Sequence, residues 1–406
     1  MKILYLCHRF PFPPKRGGKI RPFNMIRHFA QNHDVTVLSL ARSMQEAQEG
    51  QGLGAHCSNY QAFRVSDGIQ WIRMLARLPT PAPSSFGYFY SAAMQREVNR
   101  LLARERFDLI FVHCSSVAPY VSEVRGIPKI LDFGDMDSQK WLEYVHYKPW
   151  PLSWGYALEG QKLRLREARL AHEFDLCTAT TRAERETLDG YGTGATTDWF
   201  PNGVDADFFC PDGQAYDPCT ISFIGRMDYY PNQEAMLRFC DQTWPSLRAR
   251  HPDLKLLIVG ADPSDAIRRL EQRPGVTVTG SVPDVRPYVL RSAAMVAPLN
   301  IARGTQNKIL EAMAMGVPVI ASRIAAGGVD ALAPEHLLVA DQPQELLDAI
   351  SRIAGDPQER ARLSAAGRAR MLSHHAWSAS MERLDGIVAG CMQRYSTSSH
   401  AKAKLS

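Results

Sequence analysis

Five consecutive residues, Gly304-Thr305-Gln306-Asn307-Lys308, run directly into an apolar stripe of Ile309, Leu310, Met313 and Ala314, with Glu311 one turn in. The stripe has helical spacing, Gly316 stands where a helix end favours positive φ, and Val317-Pro318-Val319-Ile320 restarts as a buried strand. A helix entered this way presents free backbone N–H groups, amide donors and a cation at the positive end of its dipole, an arrangement that suits a phosphate. Glu311 would repel that phosphate, so its fitting partner is a neutral hydroxyl such as a ribose. The plain alternative is a capped helix between two strands, with Lys308 solvated and Glu311 a surface charge.

Two further positions stand where chemistry is usually placed. Thr220-Ile221-Ser222-Phe223-Ile224-Gly225-Arg226 reads as a strand that delivers an arginine from its carboxyl end. Phe107 to His113 reads as another, ending in His113-Cys114-Ser115-Ser116; His113 is either a ligand contact or a structural hydrogen-bonder. Pro128 to Ser138 is a strand that ends in the carboxylates Asp132, Asp135 and Asp137, a pattern that invites a hard-cation site.

These residues need a scaffold of strands and helices. Ile3–Cys7 is a short apolar run, followed by a basic, proline-stiffened loop with Gly17-Gly18, a helical pattern from Ile20 to Phe29, and an apolar strand over Asp34–Leu40. That is the opening of a Rossmann-like βαβ unit, without the G-x-G-x-x-G fingerprint. Strands are expected at Tyr60–Val65 and Asp175–Thr180, and Thr181 with Glu184 forms a capping box. After an Asn202-Gly203 turn the pattern restarts, with buried strands at Leu254–Gly260, Val276–Gly280 and Ala294–Leu299. Trp377–Arg394 is an amphipathic helix, and Ser396–Ser406 is expected to be disordered.

A chain of 406 residues exceeds one ordinary core and predicts two domains. The hydrophobic share of 45% and charged share of 22% are those of a globular protein. A net charge of +5 is too small to single out nucleic acid, and no zinc-finger or aromatic RNA motif occurs. Eight scattered cysteines without a C-x-x-C pair, and no apolar run near the roughly 18 residues of a membrane span, point to a reducing, cytoplasmic setting.

G-x-Q-N-K-x-L-E-A-M-A-x-G-x-P-V over residues 304–319 and P-N-G-V-D over 201–205 resemble the family 4 (group 1) glycosyltransferases, nearest to sugar transferases of PEP-CTERM exopolysaccharide clusters. The resemblance implies a GT-B fold, α/β, with two Rossmann-like doubly wound domains facing a cleft. It divides the chain into an acceptor domain at 1–205, a nucleotide-sugar donor domain at 206–375 and, at 376–406, a helix bracing the first domain plus the tail. It implies retaining transfer from a UDP- or GDP-type sugar to a hydroxyl of a glycan or lipid-linked acceptor, with no cofactor.

Carried over residue by residue, Gly225, Arg226, Gly304, Thr305, Gln306, Asn307, Lys308 and Glu311 hold the donor. Arg226 and Lys308 carry the leaving diphosphate's charge and His113 contacts the sugar, so these three are the catalytic candidates. Gly17, Gly18, His113 and Asp135 face sugar or acceptor; Asp135 is then a hydrogen-bonder, with Asp137 or Ser138 a helix cap, and no metal is called for. Gly280–Val285 resembles the family's loop beside the donor base.

Two departures stand out. Met227–Asn232 lacks the lysine that usually follows the arginine, and Arg303 stands where many relatives have a glutamate. They keep open a GT-B sugar-nucleotide epimerase and a scaffold relative with a decayed site. The aromatic and basic stretch Trp141–Arg169 reads either as core packing plus a solvated helix face or as a contact with the inner membrane leaflet. Base, sugar, acceptor, linkage and oligomeric state stay open.

Overall fold

A computed structural model of the chain describes residues 1–14 and 17–403. It divides into two compact units, Met1–Phe200 with Met381–Ser406, and Pro201–Ser380. The crossings at 200/201 and 380/381 compare with the 205/206 and 375/376 read from the sequence.

In the first unit seven parallel strands form one sheet: β1 (Lys2–Cys7), β2 (Asp34–Ala41), β3 (Asn59–Arg64), β4 (Leu109–His113), β5 (Lys129–Gly134), β6 (Leu176–Ala179) and β7 (Thr197–Trp199). Their order is β3-β2-β1-β4-β5-β6-β7. Residues Ile3–Cys7 of β1 and all of β4 and β5 are buried, as continuous apolar runs require when helices cover both faces of a parallel sheet. The strand order reverses between β1 and β4, where Cys7 pairs with His113. That is the switch point at which doubly wound sheets open a crevice.

The second unit repeats the plan with β8 (Asp217–Ile224), β9 (Lys255–Val259), β10 (Val276–Gly280), β11 (Ser292–Ala297), β12 (Val319–Ala321) and β13 (Leu338–Val339). The order is β10-β9-β8-β11-β12-β13, again all parallel, with the reversal between β8 and β11. β10, read as buried, is an edge strand with only Val276 fully covered.

Three local expectations change. The helix read from Ile20 begins at Gly17, so Gly17 and Gly18 lie in its first turn rather than in a loop. Lys15 and Arg16 lie outside the described residues. Neither Asp137 nor Ser138 caps the Asp137–Tyr144 helix: Met136 stands at the cap position, and the Ser138 N–H and hydroxyl both donate to buried Glu167 of the Leu152–Glu173 helix. The last helix runs Trp377–Ala403, so Ser396–Ala403 is helical, while Lys404–Ser406 lie outside the described residues.

That last helix buries Met381, Leu384, Ile387, Val388 and Cys391 along one stripe. Its Asp385 meets His28 Nε2 at 2.9 Å, and its Arg383 lies 4.1 Å from the Trp199 ring centroid. All eight cysteines are free thiols.

Candidate functional site

In the second unit β8 hands over to Gly225 and Arg226, and β9 to Gly260. The two glycines press against each other: a Cβ on Gly260 would stand 1.8 Å from the Gly225 carbonyl oxygen. A Cβ on Gly225 would stand 2.7 Å from Asn232 Nδ2 and 3.1 Å from Lys308 Nζ. Both have positive φ, so glycine is required by backbone and by space alike.

The Asn307–Ala314 helix brings Lys308 and Glu311 to this strand end. Lys308 Nζ donates to Asn232 Oδ1 at 2.6 Å and lies 4.2 Å from the Phe223 ring centroid. Asn232 Nδ2 donates to the Arg226 carbonyl at 2.8 Å, so one buried amide fixes both the lysine and the glycine–arginine turn. Burial lowers the Lys308 ammonium to about 7, with the Glu311 charge opposing. Burial raises the Glu311 carboxyl to about 7, with Lys308 opposing. A cation whose charge is costly when alone is one that an incoming anion stabilises.

The helix start is prepared in the same way. Gln306 occupies the cap position without a side-chain cap bond, its Nε2 donating instead to the Arg303 carbonyl at 3.0 Å. Thr305 Oγ1 and Asn307 Oδ1 are buried with no hydrogen-bond partner among the described residues, a rare condition in a folded interior. Gly304 has φ +57, and its carbonyl oxygen would lie 2.0 Å from a Cβ on Gly328. First-turn N–H groups, an unpartnered hydroxyl, an unpartnered amide oxygen and a partly buried cation together form a receptor for an anion that also carries hydroxyls.

Arg226 is half-exposed and committed to carboxylates. Its Nε and Nη2 donate to Asp228 at 2.9 and 2.6 Å, and Nη2 also donates to Asp262 at 2.7 Å. It stands at the strand end with Gly225 and Asn232, and an anion there would compete with both aspartates.

In the first unit His113 lies at the switch point, nearly fully buried. Its Nδ1 is 2.8 Å from Asp132 Oδ2. Asp132 is fully buried and also accepts from Arg21 Nε and Nη2, each at 2.9 Å, and from Thr178 Oγ1 at 2.9 Å. The Arg21 guanidinium and these hydrogen bonds outweigh burial and hold the Asp132 carboxyl well below the usual carboxylate range. An ionised Asp132 fixes the proton on His113 Nδ1 and leaves Nε2 as the imidazole's working nitrogen. His8, at the end of β1, has its ring centroid 5.9 Å from that of His113 and carries a buried Nδ1 without a partner among the described residues. Burial, with His113 and nearby cations, pushes it well below the ordinary histidine range, so it is neutral.

The other residues picked from the sequence divide. Asp135 is exposed and accepts from Thr180 Oγ1 at 2.7 Å. Among the described residues a Cβ on Gly18 would meet nothing nearer than Arg9 Nη1 at 3.7 Å, so no close approach by them demands that glycine. Gly225, Arg226, Gly304, Thr305, Gln306, Asn307, Lys308 and Glu311 gather at one strand end. Among the described residues no group of three or more His, Cys, Asp or Glu gathers as a metal site. Sequence reasoning missed Asn232, Arg21 and His8 as site residues, and it took Asp132 as one of three carboxylates at a strand end rather than as the partner of His113. Pro231-Asn232 at a helix start signalled Asn232 faintly; nothing local signalled Arg21.

Residues 16–208 match the model of Glycosyltransferase Family 4, and residues 218–356 match that of Glycosyl transferases group 1. The chain is a family 4, group 1 glycosyltransferase. It is 24% identical over 406 aligned residues, covering 93% of this chain and 95% of the relative, to a GDP-mannose-dependent monoacylated alpha-(1-6)-phosphatidylinositol monomannoside mannosyltransferase of Corynebacterium glutamicum. It is 30% identical to a phosphatidyl-myo-inositol mannosyltransferase of Mycolicibacterium smegmatis, covering 55% of this chain and 57% of that one. Its fold is GT-B. Anabaena Alr3699/HepE, solved in complex with UDP, superposes with a TM-score of 0.68 at 15% identity, covering 96% of this chain and all of that one. Sucrose-phosphate synthase of Thermosynechococcus elongatus superposes at 0.69 and 17%, covering 97% and 100%.

Proposed function

We propose that this glycosyltransferase takes a sugar from a nucleoside-diphosphate donor of UDP or GDP type, held on the second unit, and transfers it with retention to a hydroxyl of a glycan or lipid-linked acceptor. The observation that carries the donor reading is the Lys308–Asn232 bond beside an uncapped helix start whose Thr305 and Asn307 side-chain oxygens are buried and unpartnered. UDP in the Anabaena structure and GDP-mannose in the names of the mannosyltransferases support the donor class. The exopolysaccharide role rests on the sequence resemblance alone.

Transfer breaks the anomeric C–O bond and gathers charge on the departing diphosphate. Lys308 and the first-turn N–H groups of the Asn307–Ala314 helix meet that charge with fixed dipoles, and Arg226 adds a second cation once it lets go of Asp228 or Asp262. Lys308 thereby stands in for the missing lysine of the Arg226 segment. Glu311 accepts from the ribose hydroxyls, and its carboxylate is favoured when Lys308 is charged. His113, oriented by Asp132, presents Nε2 to a sugar hydroxyl. A departing phosphate oxygen on the same face takes the acceptor proton.

The test is to incubate the protein with UDP-glucose or GDP-mannose and a lipid extract, then assign the product's anomeric configuration by proton NMR. An α-linked product from an α-linked donor is expected. An inverted linkage contradicts retention, and donor interconversion without acceptor contradicts transfer.

A further inference from the structure

The Asp67–Ala76 helix of the first unit is amphipathic the wrong way round for a core helix. Gln70 is its fully buried residue, while Ile69, Trp71, Ile72 and Leu75, and Leu78 just beyond, are exposed, Ile72 at 68% and Trp71 at 53%. Residues at i, i+3 and i+6 share a face, so Ile69, Ile72 and Leu75 form one continuous apolar stripe that none of the described residues covers. Five large apolar side chains exposed on twelve residues is a patch, not scattered surface hydrophobes.

The segment is held firmly from beneath. Gln70 Nε2 donates to the Tyr90 carbonyl at 3.0 Å, and a Cβ on Gly87 would stand 2.7 Å from the Arg73 carbonyl oxygen. Buried Lys162 of the Leu152–Glu173 helix donates to the Leu78 carbonyl at 2.7 Å, and buried Glu159 of the same helix accepts the Ser84 and Ser85 N–H groups. That second helix carries exposed Trp154 in its first turn. The aromatic stretch thus splits: Trp141 and Tyr156 pack against each other in a tilted pair with ring centroids 4.7 Å apart, while Trp150 and Trp154 stay open, 83% and 67% exposed.

The two segments carry a net positive charge. Residues 67–78 and 140–169 carry eight Lys and Arg against four Asp and Glu. Two of the four acids, Glu159 and Glu167, are buried, against one of the cations, Lys162. A second copy docking through the same face would set this excess against itself, since a two-fold contact pairs a patch with its own image. An anionic bilayer surface complements it, and exposed tryptophans favour the headgroup depth.

We propose that the Asp67–Leu78 face, together with the exposed Trp150 and Trp154, docks on an anionic lipid bilayer with Ile69, Ile72 and Leu75 entering the headgroup–acyl boundary. The Lys162 and Glu159 contacts keep the helix in place as it does so. Docking is read by position rather than turnover, so it stands or falls separately from the donor assignment.

The test is flotation of the full chain with vesicles of phosphatidylcholine, with and without phosphatidylglycerol. It compares wild type, Ile72→Glu/Leu75→Glu and, as a control of equal chemistry on the second unit, Leu332→Glu, whose side chain is also exposed. Expected are flotation of wild type and of Leu332→Glu with anionic vesicles, weakening as salt rises, and a partition coefficient lowered at least about tenfold in the double variant. All three sites are exposed, and circular dichroism confirms folding. Absence of wild-type flotation at any anionic content, or equal flotation of the double variant, overturns the proposal. Sedimentation showing a wild-type dimer that the double variant dissolves, without flotation, overturns it in favour of a contact between copies.

Discussion

Arg21 and Asp132, 111 positions apart in the chain, face each other in the first unit through two bonds of 2.9 Å, both side chains almost wholly buried. The guanidinium also lies 3.7 Å from the Phe200 ring centroid and donates from Nη1 to the Phe200 carbonyl at 3.1 Å. One ion pair therefore ties the Gly17–Phe29 helix, β5 and the last residue before the chain leaves the unit, and through Asp132 it sets His113.

Removing one partner of such a pair leaves an uncompensated buried charge. Arg21→Met is expected to cost about 3–5 kcal/mol of stability at pH 7, measured by urea unfolding. The sign with pH follows from Asp132. Its folded carboxyl is held low, so its contribution in wild type is present above the unfolded value of about 4 and lost as pH falls through the folded one. The variant's unpaired carboxyl is raised and already neutral in mild acid, so the gap between the two proteins narrows as pH falls. A constant gap from pH 7 to pH 4 contradicts this account.

Lys308→Ala is expected to lower turnover by more than about tenfold, a loss of roughly 1.4 kcal/mol or more in the transition state. Glu311→Ala should act mainly on donor affinity, leaving maximal turnover within a few fold. Steady-state kinetics with saturating acceptor separate the two, and an unchanged rate in the lysine variant removes it from the mechanism.

Asn232 touches the proposed donor site only through Lys308 and the Arg226 carbonyl. Asn232→Ala frees the ammonium and is expected to weaken nucleoside-diphosphate binding by about 1.5 kcal/mol, roughly tenfold in Kd. Asn232→Asp retains the acceptor oxygen and should recover most of the loss in Lys308 placement. Equal affinities in wild type and the alanine variant sink this positioning role.

Donor binding should take up a proton above neutrality. Lys308 is lowered to about 7 in the free protein, so at pH 8 much of it is neutral, and an incoming diphosphate restores its charge. Affinity therefore falls as pH rises from 7 to 9. At pH 8 the heat of binding differs between phosphate and Tris buffers in wild type and coincides in Lys308→Met. Buffer-independent heats in wild type contradict the assignment.

Much of the scaffold was legible because central parallel strands are written as unbroken apolar runs; Ile3–Cys7 and Phe107–His113 needed no partner information to be found. Glycines at strand ends were equally plain, and the chain places Gly225 and Gly304 at the site with positive φ. Buried polar pairs were not legible. Arg21 sits in a helical pattern beside Pro22, and its meaning comes only from Asp132, which reads as one of three carboxylates at a strand end and not as the partner of a distant arginine. The Gly17-Gly18 helix start was missed because glycine pairs normally end helices, and the exposed stripe at Ile69–Leu75 was not legible because periodicity reports a face without saying what covers it.

The most direct test of the central claim is a calorimetric titration of wild type and Glu311→Ala with UDP, GDP and ADP. The account predicts that wild type binds one of these nucleotides at a single site and that Glu311→Ala, folded by circular dichroism, binds it at least about tenfold more weakly. Equal affinity in the two proteins, or no binding of any nucleotide by folded wild type, would contradict a donor site built on Lys308 and Glu311.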